Sequence, residues 1–265
     1  MDSLVFIVAI GAVVAGFVQG LSGFAFSLVA MSFWVWTVEP QLAAAMAVFG
    51  ALTGQIIAAI TVRRGFDLKL LLPFLVGGIV GIPVGVAILP LLDMQLFKLV
   101  FGALLVTWCP LMLFARHIPR ITVGGHVADG AIGLIGGVMG GLGGFTGPVP
   151  TLWCVLRQWE KDRQRIVIQN FNLATLSLTM VAYIAAGKIK VEMLPMFAIV
   201  APAMLIPTLL GARLYIGMSE ATFRKIVLTL LAASGAAMLA SALPHLTDLN
   251  GYDAAEIPQI DPAKR

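Results

Sequence analysis

Long apolar runs alternate with short polar clusters along almost the whole chain. Six of the runs are about as long as a membrane-crossing helix, which needs roughly 20 residues. They cover residues 41–62, 70–92, 94–115, 166–186, 191–215 and 221–243. The hydrophobic pattern therefore predicts six spanning helices, with the charged residues gathered between them.

Four shorter runs form two pairs, and a glycine-rich stretch separates the members of each pair. The pairs are 4–18 with 24–36 and 127–140 with 145–156. Each pair is too long for one straight span and too short for two. Such lengths favour a helical hairpin that enters the membrane and turns near its middle. One long, tilted and broken helix is the alternative.

The two glycine-rich stretches are copies of each other. Residues 16–24 and 137–145 share five identical positions of nine at an offset of 121, and Gly65 and Pro73 recur as Gly187 and Pro195. This correspondence predicts an internal duplication, with a first membrane repeat at 1–115, a basic linker at 116–126 and a second repeat at 127–243. Residues 244–265 form a polar C-terminal tail, which we expect to be disordered or loosely docked.

The composition agrees with a membrane protein. Of the 265 residues, 60% are hydrophobic and only 11% are charged, whereas soluble domains are about one quarter charged. The runs are too long and too uniformly apolar for the alternating strands of a transmembrane barrel. We therefore predict an all-α, polytopic membrane protein.

The distribution of basic residues bears on both partners and orientation. The net charge of +4 does not indicate nucleic-acid binding, because the Lys and Arg residues form no continuous stripe. If each short pair returns to its own side, 12 of the 17 Lys and Arg residues lie on one face. If each pair crosses once, they split 9 to 8. The positive-inside rule favours the first arrangement, which makes the halves inverted repeats with both termini on the non-cytoplasmic side.

Opposed hairpins would bring the two glycine-rich tips together near the middle of the membrane. Helices that begin there direct free N–H groups and positive dipole ends inward, an arrangement that suits an anion. Neutral polar side chains near the tips and in segment 166–186 add hydrogen-bond donors, and Arg213 or Arg165 would attract substrate at the cytoplasmic mouth. The candidate substrate-binding residues are Gln19, Ser22, Gly23, Phe24, Gly143, Gly144, Phe145, Thr146, Gln169, Asn170, Asn172 and Arg213. Helix packing by the glycines and interhelical hydrogen bonding by the polar residues are the alternative roles.

Several functional classes have no support in the sequence. Every Asp and Glu falls in a predicted loop, tail or helix end, so no carboxylate proton relay is predicted. The three His residues lie in predicted loops, and no protease or nucleotide-binding motif is present. We expect no enzyme activity, metal or cofactor, and we expect Cys109 and Cys154 to be buried free thiols.

With its two copies of Gly-x-x-x-Gly-Leu-x-Gly-Phe, at 16–24 and 137–145, and its Gly211-Ala212-Arg213-Leu214 stretch, the chain resembles the sulfite exporter TauE/SafE family. The resemblance covers residues 4–243. It implies a bacterial inner-membrane protein that moves sulfite or small organosulfonates through the lipid bilayer, and leaves a homo-oligomer open. An alternating-access transporter, a channel-like anion pore and a non-transporting accessory subunit are the functional alternatives. The second copy departs from the first in Thr146-Gly147-Pro148, which bears on the start of the helix that follows.

Overall fold

The computed structural model describes residues 2–61, 65–115, 121–214 and 220–255, and every regular element in those ranges is helical. The α-helices are α1 (Asp2–Ser22), α2 (Phe26–Trp34), α3 (Pro40–Thr61), α4 (Leu68–Ile88), α5 (Met94–Phe114), α6 (Gly125–Gly143), α7 (Pro148–Leu156), α8 (Lys161–Ala185), α9 (Leu194–Leu214) and α10 (Glu220–Ala255). Short 3₁₀ turns cover Leu89–Leu91 and Val191–Met193. Seven helices in the described ranges are long and apolar enough to cross a membrane, so the chain is an all-helical, multi-pass membrane protein.

Helix starts follow local capping signals. Asp67 accepts a hydrogen bond from Leu70 N at 3.2 Å and Asp93 accepts one from Leu96 N at 2.7 Å. These side chains satisfy N–H groups that the first turns of α4 and α5 leave without an intrahelical acceptor. Pro40 begins α3, where its missing N–H costs nothing.

The first short pair forms a hairpin, as predicted, and not one long broken helix. Trp34, at the end of α2, donates from Nε1 to the Val8 carbonyl oxygen at 3.3 Å. The chain therefore turns back along α1 after Ser22. In the second pair, Trp153 of α7 likewise reaches Asp129 near the start of α6.

The lengths of the hairpin arms differ from the prediction. α1 has 21 residues and is a candidate span by itself, and α6 has 19 residues, whereas both first arms were predicted to be short. Each hairpin thus has one long arm and one nine-residue arm. The glycines at 16 and 20 and at 137 and 141 stay helical, because their missing side chains are used for close packing against other helices.

The long arm of each hairpin packs on a helix of the other half. A carbon placed on the glycines at these interfaces would meet the partner backbone at once, so the helices approach closely. Along α4 and α6, the successive contacts are Gly77 with Gly130, Gly81 with Leu134, and Gly85 with Val138 and Gly141. Along α1 and α9, they are Gly16 with Met204, and Gly20 with Thr208 and Ala212. Residue numbers rise together in both pairs, so each pair is parallel.

Two further relations complete the arrangement. α8 runs parallel to α4, since Gly65 contacts Ile166 and Gly78 contacts Phe171 and Thr175. α5 and α10 run in opposite directions, because Gly102 meets Leu239 and Val106 meets Gly235. Each half thus packs one of its helices against the hairpin of the other half: α4 of the first half contacts α6 of the second, and α9 of the second half contacts α1 of the first.

The predicted tail and linker are only partly described by the structure. α10 continues to Ala255, past the predicted end of the last span at residue 243, so the backbone of the first twelve tail residues is helical. Residues 256–265 of the predicted tail and 116–120 of the predicted linker lie outside the described residues.

Candidate functional site

Each hairpin turns at a glycine in the left-handed backbone region. Gly23 has φ +81° and Gly144 has φ +76°, and the two lie 121 residues apart. Glycine adopts this conformation without the Cβ clash of other residues. The duplicated stretches therefore end their helices at equivalent positions, after Ser22 and after Gly143.

The two breaks touch each other. A carbon placed on Gly144 would lie 2.7 Å from Ser27 Oγ, and one on Gly147 would lie 2.7 Å from Phe24 Cδ2. Contact between residues more than 100 positions apart, at copies of the same motif, places both turns in one region of the molecule.

At the first break, side chains already occupy the exposed backbone donors. Ser22 Oγ accepts from Ala25 N at 3.2 Å and more weakly from Phe24 N at 3.4 Å, and Gln19 Oε1 accepts from Phe26 N at 3.0 Å. Gly23 N donates to the Gln19 carbonyl at 2.7 Å. The N–H groups that the sequence assigned to an anion are thus hydrogen-bonded within the protein in this structure.

The first break still retains one unused donor. The side chain of Gln19 is 2% exposed, and its Nε2 is buried without a hydrogen-bond partner. On the other side of the turn, Gln55 Nε2 donates to the Gly23 carbonyl. This break is consequently well satisfied except at one amide nitrogen.

The second break is lined by hydroxyl groups. Thr146 Oγ1 donates to Asn172 Oδ1 at 2.9 Å, and both side chains are buried. Thr179 is fully buried and its hydroxyl has no partner. Its Oγ1 lies 3.6 Å from a carbon placed on Gly140, beside Thr146. Thr151, in the first turn of α7, is also buried with an unpartnered hydroxyl.

Two prolines limit the backbone donors of the second break. Pro148 and Pro150 are the first and third residues of α7, and proline has no N–H. Val149 is therefore the one first-turn residue of α7 before Thr151 that carries a donor, and Thr151 N donates to the Gly147 carbonyl at 3.0 Å. The first turn of α7 therefore offers few backbone donors to a ligand.

The polar residues of α8 follow one face of the helix. Asn172, Thr175, Thr179 and Tyr183 are spaced by three or four positions and are each at most 1% exposed. Thr175 donates to the Phe171 carbonyl at 2.6 Å and Tyr183 to the Gly141 carbonyl at 2.8 Å. Thr179 is the member of this face whose hydroxyl remains unused. The site is therefore neutral, built from amides and hydroxyls.

The structure separates some of the residues that the sequence grouped. Asn170 donates to the Gly65 and Ile166 carbonyls at 3.0 and 2.8 Å, so it ties α8 to the segment before α4. Gln169 is part-buried on α8, three positions before Asn172. Arg213 is exposed in the last turn of α9, and Arg165 is exposed near the start of α8.

The two motif phenylalanines have different surroundings. Phe24 lies against Gly147. Phe145 stacks on Phe101 with ring centroids 4.9 Å apart, and lines an apolar cavity of about 90 Å³ between α5 and α6. The ring of Phe145 thus faces an apolar space.

One charged cluster was not predicted. Asp129, on α6, is 4% exposed and accepts from Trp153 Nε1 at 2.7 Å and Arg157 at 3.2 Å. The sequence carried a partial signal, since Trp153 and Arg157 are four positions apart on one helical face. Asp129 itself sits near a helix end, where an acidic residue is ordinarily solvated. Among the described residues, no group of three or more His, Cys, Asp or Glu is placed to hold a metal ion.

Comparison with known proteins places the chain in a family. Searches found no match among curated proteins or solved structures. The family model described as Sulfite exporter TauE/SafE matches residues 8–238, a range that runs from the first third of α1 to the middle of α10. Since that match covers far more than half of the sequence, the chain belongs to the sulfite exporter TauE/SafE family, whose members are membrane transporters of sulfur-containing anions.

Proposed function

We propose that this protein is a secondary transporter that exports small sulfur-containing anions, such as sulfite or organosulfonates, across the bacterial inner membrane. Access alternates around a site between the two helix breaks. Family membership supports the transport of sulfur anions, and the contact between the duplicated breaks supports the position of the site. Paired discontinuous helices are the usual location of substrate in transporters built from repeats.

The directions of the helices support an inverted repeat. α3 runs antiparallel to α2 and hence along α1, because Phe26 lies beside Gly50 and Gly23 is bonded to Gln55. A short connection between two spans, such as residues 62–67, requires the next span to return, so α4 runs against α1. α6 is parallel to α4. The second hairpin then points opposite to the first, as inverted repeats require.

The observation that carries the proposal is the unpartnered hydroxyl of Thr179 at the second break. A buried hydroxyl without a hydrogen bond costs about 1–3 kcal/mol. Such a cost is understandable where a ligand completes the hydrogen bond. Sulfite and sulfonates carry three oxygens that accept hydrogen bonds. The Thr179 hydroxyl, the Asn172 amide N–H groups and the Thr146 hydroxyl, once released from Asn172, suit them without a charged side chain.

Neutral donors also fit a substrate that must leave again. A buried Arg would pair strongly with an anion and would itself be costly in the membrane. Amide and hydroxyl groups instead offer charge-assisted hydrogen bonds to the anion without burying a second full charge. We therefore infer that substrate exchanges partners with Gln19, Ser22 and the hydroxyls of the second break as the hairpins separate, while Gln169, Asn170 and Arg213 lie outside this innermost set.

Transport by the purified protein tests the proposal directly. Proteoliposomes loaded with unlabelled methanesulfonate, sulfite or sulfoacetate should take up the labelled anion faster than empty ones, because an alternating carrier shows counterflow. Thr179→Val keeps the side-chain volume and removes the hydroxyl, so we expect at least about a tenfold loss of transport, the equivalent of one hydrogen bond of about 1.4 kcal/mol. Thr175→Val is the matched control, because that hydroxyl is bonded to its own helix.

The alternatives predict different flux. A channel-like anion pore gives non-saturating uptake with no stimulation by unlabelled anion on the far side. A membrane accessory subunit moves no solute at all in purified proteoliposomes. If thermal unfolding shifts with none of sulfite, sulfate, thiosulfate, taurine or sulfoacetate, the anion site is wrong, because a ligand at 100 times its Kd stabilises by about 2.7 kcal/mol.

A further inference from the structure

The charged cluster of Asp129, Trp153 and Arg157 lies outside the site at the breaks. Asp129 Oδ1 accepts from Trp153 Nε1 at 2.7 Å and from Arg157 at 3.2 Å, and Arg157 also reaches the Gly125 carbonyl at 3.3 Å. The Asp129 side chain is 6% exposed and that of Arg157 is 13% exposed. The guanidinium lies over the rings of Trp153 and Trp159, at 4.9 and 5.9 Å from their centroids.

The cluster joins the two arms of the second hairpin at the end away from its turn. Asp129 is in the second turn of α6, and Arg157 is the residue that closes α7. The inner end of α7 is held separately, by Trp108 Nε1 donating to the Pro148 carbonyl at 3.0 Å. The nine-residue α7 is therefore fixed at both ends by different contacts.

In the first hairpin, the two arms are joined at the equivalent position by a contact without charge. Val8 precedes Asp129 by 121 residues, the offset of the duplication, and Trp34 donates to the Val8 carbonyl at 3.3 Å. A backbone carbonyl is thus sufficient to hold a tryptophan across the arms. At the equivalent position in the second half, the acceptor is a buried carboxylate, which is costly unless paired.

One hydrogen-bond donor of the cluster is unused. Arg157 Nε is buried and has no hydrogen-bond partner. His126 also lies near the carboxylate, with its Nδ1 4.0 Å from Asp129 and its side chain 82% exposed. The second hairpin thus joins its arms through two donors on one buried carboxylate, whereas the first uses a single neutral hydrogen bond. Because a buried carboxylate without its cation is costly, the Arg157 pair determines whether α7 stays packed on α6.

We propose that Asp129 is a positioning residue that latches α7 against α6, and that α7 is the hairpin arm that moves during transport. The movement of α7 during transport rests on the proposed transport function, whereas the latch between α6 and α7 does not. While the latch is closed, α7 holds Thr146 and Thr151 in place at its inner end. When Arg157 leaves Asp129, α7 swings from its outer end and the second break opens.

Cys154 provides a direct reporter of this movement. It lies in α7 next to Trp153 and is fully buried. With Cys109 replaced by Ala, the rate at which N-ethylmaleimide labels Cys154 in proteoliposomes measures the opening of α7. We expect Asp129→Asn and Arg157→Gln each to raise that rate at least about tenfold, since local opening sets the reactivity of a buried group. Both charges lie near the thiol and act on it in opposite senses, so a rise in both variants reports opening and not a change of local charge. Asp129→Glu, which keeps the carboxylate, should stay within a few-fold of the parent.

Two controls separate the latch from general loosening. Asp93→Asn removes a carboxylate from an exposed helix cap and should leave Cys154 labelling unchanged. In the Cys154→Ala protein, labelling of the buried Cys109 in α5 should be the same with and without Asp129→Asn. Unchanged Cys154 labelling in Asp129→Asn, or an equal rise at Cys109, would overturn the latch. If that variant fails to accumulate, Arg157→Lys should give an intermediate rise, and no rise overturns the latch as well.

Transport assays distinguish failure of the latch from failure of the function. Asp129→Asn should change the maximal rate of methanesulfonate counterflow several-fold and leave KM nearly unchanged, because Asp129 does not touch the site. A KM change as large as the rate change would place Asp129 at the substrate and refute a positioning role. If Cys154 opens as expected but the wild-type protein transports no anion, the latch stands and the proposed transport is wrong.

Discussion

Gly23 and Gly144 share a left-handed backbone but have different surroundings. Nothing lies within 4 Å of a carbon placed on Gly23, whereas one on Gly144 would lie 2.7 Å from Ser27 Oγ and 3.3 Å from Val48. The backbone conformation of both is strained for any other residue, but only Gly144 is also enclosed.

The matched pair Gly23→Ala and Gly144→Ala should separate strain from crowding. We expect Gly23→Ala to destabilise by about 1–2 kcal/mol, the cost of the left-handed conformation. Gly144→Ala should cost about 1–3 kcal/mol more, because the added methyl is overpacked. Denaturation in detergent checks the order. Equal losses would mean that the turn around Gly144 relaxes freely.

Removing the Thr179 hydroxyl should affect stability and transport in different ways. Because its hydroxyl is buried and unpartnered, Thr179→Val should leave the free energy of unfolding unchanged or raise it by about 1 kcal/mol, while transport falls. Thr175→Val should do the reverse and lose stability with little loss of transport. Thermal unfolding of both variants without substrate tests the expected changes in stability. A marked loss of stability in Thr179→Val would show that the hydroxyl has a structural partner.

The arrangement of the candidate site was only partly predictable from residue types. The sequence identified Thr146 and Asn172, which the structure bonds to each other, but it grouped Asn170 with them. Neighbouring positions on a helix point in different directions, and Asn170 finds its partner in Gly65, 105 residues away. Likewise, the use of Gln19 and Ser22 as caps for Phe24, Ala25 and Phe26 depends on side-chain directions that composition does not contain.

At the scale of elements, glycine has two separate roles in the duplicated stretches. Gly16 and Gly20 remain in α1 and face the backbone of α9, while Gly23 ends the hairpin arm. The sequence predicted a break throughout the stretch and so ended the first arm too early. A helical glycine loses only about 1 kcal/mol relative to Ala, and close packing readily offsets that.

Two helical glycines with different neighbours test this packing. A carbon on Gly20 would collide with the Thr208 carbonyl, whereas one on Gly130 lies at an ordinary 3.6 Å from the Pro73 carbonyl. Gly20→Ala should therefore destabilise by about 1–3 kcal/mol. Gly130→Ala should be neutral or stabilise by up to about 1 kcal/mol through helix propensity. Thermal melts of the two variants decide it, and a neutral Gly20→Ala would mean that α1 and α9 shift apart without cost.

Most of the spans were predictable to within a few residues. The predicted segments 41–62 and 94–115 correspond to Pro40–Thr61 and Met94–Phe114. Span length is set by the thickness of the membrane, and the ends are marked by caps such as Asp93. These are local signals, whereas the exchange of α4 and α9 between the halves depends on contacts over more than 50 residues.

At the scale of the molecule, the directions of the helices predict where the connections lie. We expect the segments around Arg63 and around Arg157 in the cytoplasm, and both termini and the segment around Lys188 outside, because this places most basic residues inside. Single cysteines at Asp67, Glu160 and Lys188, in a background without the native cysteines, test this with an impermeant maleimide on intact cells. Position 188 should label and positions 67 and 160 should not. Labelling of 188 and 160 alike would rule out an inverted repeat.

The exchange of helices between the halves has a consequence for synthesis in the cell. The glycine face of α1 is made near the start of the chain, but α9, which covers it, begins at Leu194. At about 5–20 residues per second, α1 waits roughly 10–40 s for its neighbour. Lipid, or an insertion factor, must cover that face in the meantime. The first hairpin is therefore inserted early and completed late, and its final form is set only when the second half arrives.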